Sequence, residues 1–139
     1  MRFMVMVKTT KDSEAGLMPS AELLTAMGKY NEELTKAGVM LAAEGLQASS
    51  RGVRVRFSGD TRTVIDGPFT EVKELVAGFW LFHVRSKEEA IEWVKRAPFD
   101  GGVEIEIRQV FEAADFGDAL PADVRKEEEG RRSFAAAKR

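Results

Sequence analysis

The sequence predicts an α+β fold with the order strand, helix, strand, hairpin, strand, helix, strand. Three observations carry this. Two apolar runs, Arg2 to Lys8 and Gly78 to Val84, are hydrophobic on both alternating sets of residues, as in strands covered on both faces. Two amphipathic stretches have a serine at their start, the pattern of capped helices. Between them lie two short alternating runs joined by a tight turn.

In chain order, Phe3, Val5 and Val7 alternate with Met4 and Met6 in the first strand. After a polar loop, Pro19-Ser20 opens a helix in which Leu23, Met27, Tyr30 and Leu34 recur on one face, and Gly38 ends it. Val39 to Ala43 forms the second strand and runs into Glu44-Gly45-Leu46. Val53, Val55 and Phe57 alternate with Arg54 and Arg56, Ser58-Gly59-Asp60 turns the chain, and Thr61 to Ile65 returns as a hairpin. Asp66-Gly67-Pro68 then breaks the backbone, because proline fixes its own φ, donates no hydrogen bond and keeps its predecessor out of the helical region.

A charged connector from Thr70 to Leu75 leads to the most hydrophobic strand, ending in His83 and Val84. Ser86 with Glu89 is a capping-box pattern, and Ala90, Ile91, Val94 and Ala97 make the buried stripe of a helix that stops at Pro98. Val103, Ile105 and Ile107 alternate with Glu104, Glu106 and Arg108 in a last strand with one wet face. Residues 1–111 therefore read as one domain. Residues 112–139, charged and poor in large apolar side chains, read as an arm that is at best partly helical and otherwise disordered.

The order matches the βαββαβ plan of ferredoxin-like folds with a β-hairpin inserted in the middle. Two helices cover only one face of such a sheet, so the doubly apolar strands call for a cover on the other. A second copy of the chain is the simplest cover, and the hairpin or the arm folding back is the alternative.

Composition excludes several classes. The chain of 139 residues has no cysteine and a net charge of -2, so disulfides, thiolate chemistry and a field attracting nucleic acid or anionic membranes are not expected. The apolar start lacks the layout of a signal peptide, and no run reaches membrane-span length, so a cytoplasmic location is expected. With one histidine and no HxH or HxxxH spacing, no metal is expected, and no glycine-rich phosphate loop or other cofactor motif is present.

Three residues are candidates for chemistry. His83, the single histidine, is either a general acid or base opening onto a pocket or an ordinary strand-end imidazole. Asp66 is either a ligand-binding or catalytic carboxylate or the acceptor that ties the turn before Pro68. Glu44, closing an apolar strand, is exposed, paired or poised with a raised pKa. Together the three would make a small acid–base site. Arg51, Arg54, Arg56 and Arg62 on the hairpin form either an anion- or protein-docking face or simply its solvated side.

Glu44-Gly45-Leu46, Asp66-Gly67-Pro68-Phe69, Lys73-Glu74 and Gly78-Phe79-Trp80, in that order, resemble the DGPF-domain branch of the YCII-related proteins over residues 1 to 111. The resemblance implies a dimeric ferredoxin-like fold, with an α/β-barrel-like association of the two copies. It also implies a link to transcription, since some members are encoded beside extracytoplasmic-function sigma factors. Relatives proposed as enzymes carry a histidine in the first helix and an aspartate before a proline after the second. Those places fall near Met27 and at Ala97 here, and neither side chain can move a proton.

Two functions follow as expectations. One is a dimeric ligand-binding or regulatory module, with a pocket near Asp66 and His83 or a surface for a transcription-related partner. The other is a small enzyme acting on a metabolite through Glu44, Asp66 and His83.

Overall fold

A computed structural model describes residues 1–137. It shows a mixed α+β fold built on antiparallel sheets. Strand β1 (Arg2–Lys8) is followed by a short helix α1 (Lys11–Glu14), helix α2 (Ala21–Lys36) and strand β2 (Met40–Gly45). Strands β3 (Val53–Ser58) and β4 (Thr61–Asp66) come next, then β5 (Val76–His83), helix α3 (Lys87–Lys95) and β6 (Ile105–Gln109). The main sheet has the order β2-β5-β1-β6 with every pairing antiparallel, while β3 and β4 pair only with each other. This is consistent with a ferredoxin-like fold.

The helices form where their caps predict. Ser20 Oγ accepts from the amide of Leu23, and Ser86 Oγ accepts from the amide of Glu89. The Glu89 carboxylate reaches back to the amide of Arg85, one residue beyond the cap. The polar loop before Ser20 also contains α1, which is only four residues long and capped by Thr10 Oγ1; it carries no apolar stripe for a sequence reading to find.

Register decides which face of the sheet is buried. Phe3 pairs with Phe82 and Val5 with Trp80, and these four form the core with Tyr30 and Leu34 of α2 and Ala90 of α3. Both helices therefore lie on one face. Tyr30 is fixed there twice, by an edge-on contact with Trp80 (5.6 Å between ring centroids) and by its hydroxyl, which donates to the Trp93 carbonyl at 2.7 Å. Burial, as the largest influence, pushes its phenol pKa up to about 12.

The other face carries Met4, Met6, Phe79 and Leu81, all half-buried. The hairpin leaves it so. Every residue of β3 is exposed, and Phe57 and Val64 keep 70% and 64% of their surface in solvent.

From Val110 on, the described residues make a second compact unit. It holds a 3-10 segment, Ala113–Ala119, and helix α4, Ala122–Ala137. Sixteen helical residues exceed the partly helical arm expected from the sparse apolar residues. Local charge accounts for it: Arg131 and Arg132 pair with Glu128 one turn away, and Arg132 also reaches Glu112. Among the described residues no helix is long and apolar enough to cross a membrane.

Candidate functional site

The candidate site is a cleft of about 720 Å³ on the helix side of the main sheet. Its floor has a sequence cause. Gly45 of β2 faces Gly78 of β5 across the ladder, on the same face as the neighbouring pair Ala43 and Trp80. With no side chain at either glycine and only a methyl at Ala43, the space below α2 extends to the backbone. Gly78 is held to this size by its partner strand, since a Cβ there would sit 2.9 Å from the Glu44 carbonyl oxygen.

The walls are apolar. Leu23, Leu24 and Met27 of α2 lie above, and Trp80 and Phe99 meet edge-on with centroids 6.2 Å apart. Asn31 is the polar fixture of the wall: its Oδ1 accepts from Trp80 Nε1 at 2.8 Å, which leaves its amide group as a donor. At the mouth, Leu17 and Met18 are 62% and 84% exposed. Apolar residues of that exposure beside an apolar cavity lose water contact when a ligand fills it.

The three sequence candidates are not brought together. Glu44 borders the cleft, paired opposite Phe79 at the edge of the sheet, and is exposed. His83 is five residues beyond Gly78 on β5, about 17 Å at the rise of an antiparallel strand. It is exposed and pairs with Arg2. Asp66 ends β4 opposite Val53, also exposed, and belongs to the hairpin. Neither His83 nor Asp66 lines the cleft, so a pocket near these two is corrected to one beneath α2. The physical reason is that Glu44 and His83 stand toward opposite ends of the β2–β5 pair, while Asp66 belongs to the separate sheet of β3 and β4. Nor does Asp66 tie the turn before Pro68.

That tie is made through Ser49, Glu14 and Gly52, which the sequence reading passed over. Ser49 Oγ accepts from the Phe69 amide at 2.9 Å and donates to Glu14 Oε2 at 2.5 Å, while the Ser49 amide donates to Glu14 Oε1 at 2.9 Å. The Gly67 amide donates to the Gly52 carbonyl at 3.0 Å. Arg54 covers the Phe69 ring, with its guanidinium carbon 3.8 Å from the centroid. These bonds join the end of α1, whose Asp12 and Ser13 line the cleft, to the base of the hairpin. The two hydrogen bonds from Ser49, that of its hydroxyl first, hold the Glu14 carboxyl below the usual carboxylate range. The only available signal was weak: polar residues in loops near a proline.

The glycines, by contrast, stood in view. Glu44-Gly45-Leu46 and Gly78-Phe79-Trp80 were singled out as motifs, and the ladder sets them side by side on the cleft floor.

A model of the YCII-related domain matches residues 1–114. No curated protein matches the chain. Among solved structures, the chain is similar to 5-chloro-2-hydroxyhydroquinone dehydrochlorinase (TftG) from Burkholderia phenoliruptrix AC1100, in complex with 2,5-dihydroxybenzoquinone. The identity is 15%, the match covers 81% of this chain and 96% of that one, and the TM-score is 0.42.

Proposed function

The chain belongs to the YCII-related family, and from that premise we propose that it is a small-molecule-binding module whose ligand site is the cleft beneath α2. One observation carries this reading: an apolar cavity of about 720 Å³, opened by the facing Gly45 and Gly78 and furnished with a single oriented amide, Asn31. Cavities of a few hundred cubic ångströms, mostly apolar with a few placed polar groups, are the usual form of small-molecule sites.

Within the family we assign the chain to the DGPF branch, on the ordered motifs that include Asp66-Gly67-Pro68-Phe69. The protein works as a cytoplasmic homodimer. Support for the dimer is the half-buried stripe of Met4, Met6, Phe79 and Leu81 on the face that the helices leave open. Its output is regulatory, through a transcription-related partner that reads the liganded state. An acid–base reaction through Glu44, Asp66 and His83 together has no support in their placement.

The test is a thermal-shift screen of metabolites against wild type and Leu23→Trp, which fills the cleft from its wall. A ligand at a hundred times its dissociation constant adds about 2.7 kcal/mol, or roughly 9 °C for a chain of this length. Hits lost in Leu23→Trp place the ligand in the cleft. Hits that survive it, or are lost only in His83→Ala, sink the reading.

A further inference from the structure

We infer that the ligand of this cleft is cationic, an amine carried on an apolar, ring-sized body. The inference rests on the reading of the cleft as a ligand site and adds its chemical class. It follows from which charges border the cavity and which of them are already engaged.

The interior is neutral. Leu23, Met27, Trp80, Phe99 and Val103 surround it, so the body of a ligand there exchanges water for hydrocarbon and ring faces. The border is not neutral. Two carboxylate residues lie on it, Asp12 from α1 and Asp100 from the loop before β6, and among the described residues neither has an ion-pair partner; Glu44, opposite Phe79 in the ladder, turns its side chain to the other face of the sheet. Among the described residues Lys8 is the one cation on the border, with its ammonium 3.4 Å from the Glu106 carboxylate and its side chain only 19% exposed.

An anion entering the cleft would therefore meet two like charges and a lysine already neutralised. The start of α2 offers little compensation, because Ser20 Oγ has taken the Leu23 amide and the Glu22 carboxylate lies in the same first turn. A cation meets the reverse. Its ring system can fill the neutral interior, an acceptor atom on it can take the Asn31 amide, and its ammonium remains among carboxylates at the wet mouth. Asp12 and Asp100 are exposed, so they select by sign and contribute modestly to affinity.

The experiment uses the full chain and a matched naphthyl series: 2-naphthylmethylamine, 2-naphthylmethanol and 2-naphthoate, by calorimetry at low salt. The expected order is amine, then alcohol, then carboxylate, with at least about tenfold between the first and last, and a smaller ratio at high salt. Asp12→Asn and Asp100→Asn should each lower amine affinity roughly threefold, leave the alcohol unchanged, and in combination bring the amine close to the alcohol. Both positions are exposed, so these variants fold, and their circular dichroism confirms it.

If the amine binds no better than the alcohol, or its advantage survives in the double variant, the inference is overturned. If the alcohol then still binds and Leu23→Trp abolishes it, the cleft reading stands alone. If none of the three binds at millimolar probe, or Leu23→Trp changes nothing, both fall.

Discussion

A methyl group added at Gly67 has no room. An ideal Cβ there would lie 1.8 Å from the Ser49 carbonyl oxygen and 2.7 Å from its carbonyl carbon, and both are backbone atoms that cannot swing aside. Relief requires Ser49 to move by more than an ångström. Ser49 is held by both carboxylate oxygens of Glu14 and by the Phe69 amide, while its carbonyl accepts from Gly52. Overpacking of this kind costs about 1–3 kcal/mol, and each hydrogen bond lost adds about 1 kcal/mol. Gly67→Ala should therefore destabilise the protein by about 3 kcal/mol or more.

At roughly 0.3 kcal/mol of unfolding entropy per degree for a chain this long, the midpoint falls by about 10 °C. Gly28→Ala is the internal contrast. It sits within α2 with no atom inside 4 Å of the new methyl, and replacing glycine by alanine in a helix should raise stability by about 1 kcal/mol. Denaturant titrations of the two variants beside wild type decide the matter. A Gly67→Ala protein within 1 kcal/mol of wild type would refute the claim that Gly67 is packed against a fixed Ser49.

Because the Glu14 carboxyl is held below its ordinary value of 4.5, its contribution is complete above that pH and fades as pH falls through the lowered folded value. The midpoint difference between wild type and Glu14→Gln should be constant at neutral pH and close in acid; a gap independent of pH would contradict the Ser49 bonds. Tyr30, the single tyrosine, should ionise near 12 rather than 10 by ultraviolet titration. Its folded value is raised, so its contribution is whole below 10 and lost as pH climbs toward 12. Tyr30→Phe leaves the Trp93 carbonyl without its donor and should lower stability by about 1–2 kcal/mol, read from urea midpoints. Leu81→Lys, on the face of the sheet that α2 and α3 do not cover, should convert the proposed dimer to a monomer in sedimentation while leaving the helical signal intact; an unchanged mass would refute the proposed interface.

Periodicity and capping determined the elements. Phe3, Val5 and Val7 alternate because a strand repeats every two residues, and Ser20 and Ser86 stand where helix amides lack partners, so both could be read from neighbours along the chain. The first helix α1 and the extent of α4 escaped because neither has an apolar stripe, one resting on a cap and the other on charge pairs. Composition likewise determined what chemistry the chain lacks, with no thiol and one imidazole.

The site was decided by pairing. Glu44, Asp66 and His83 looked equivalent as polar residues at the ends of strands, and nothing in their spacing says that β2 and β5 run in opposite directions, with Glu44 beside Phe79 and His83 at the far end. The cleft draws on β1, α1, α2, β2, β5 and the loop before β6, and its depth comes from two glycines 33 positions apart that meet only once the register is set. Local order follows from short-range sterics and hydrogen bonding, which the sequence carries residue by residue. A cavity is defined by atoms that are missing between distant segments, and only the packed chain brings those segments together.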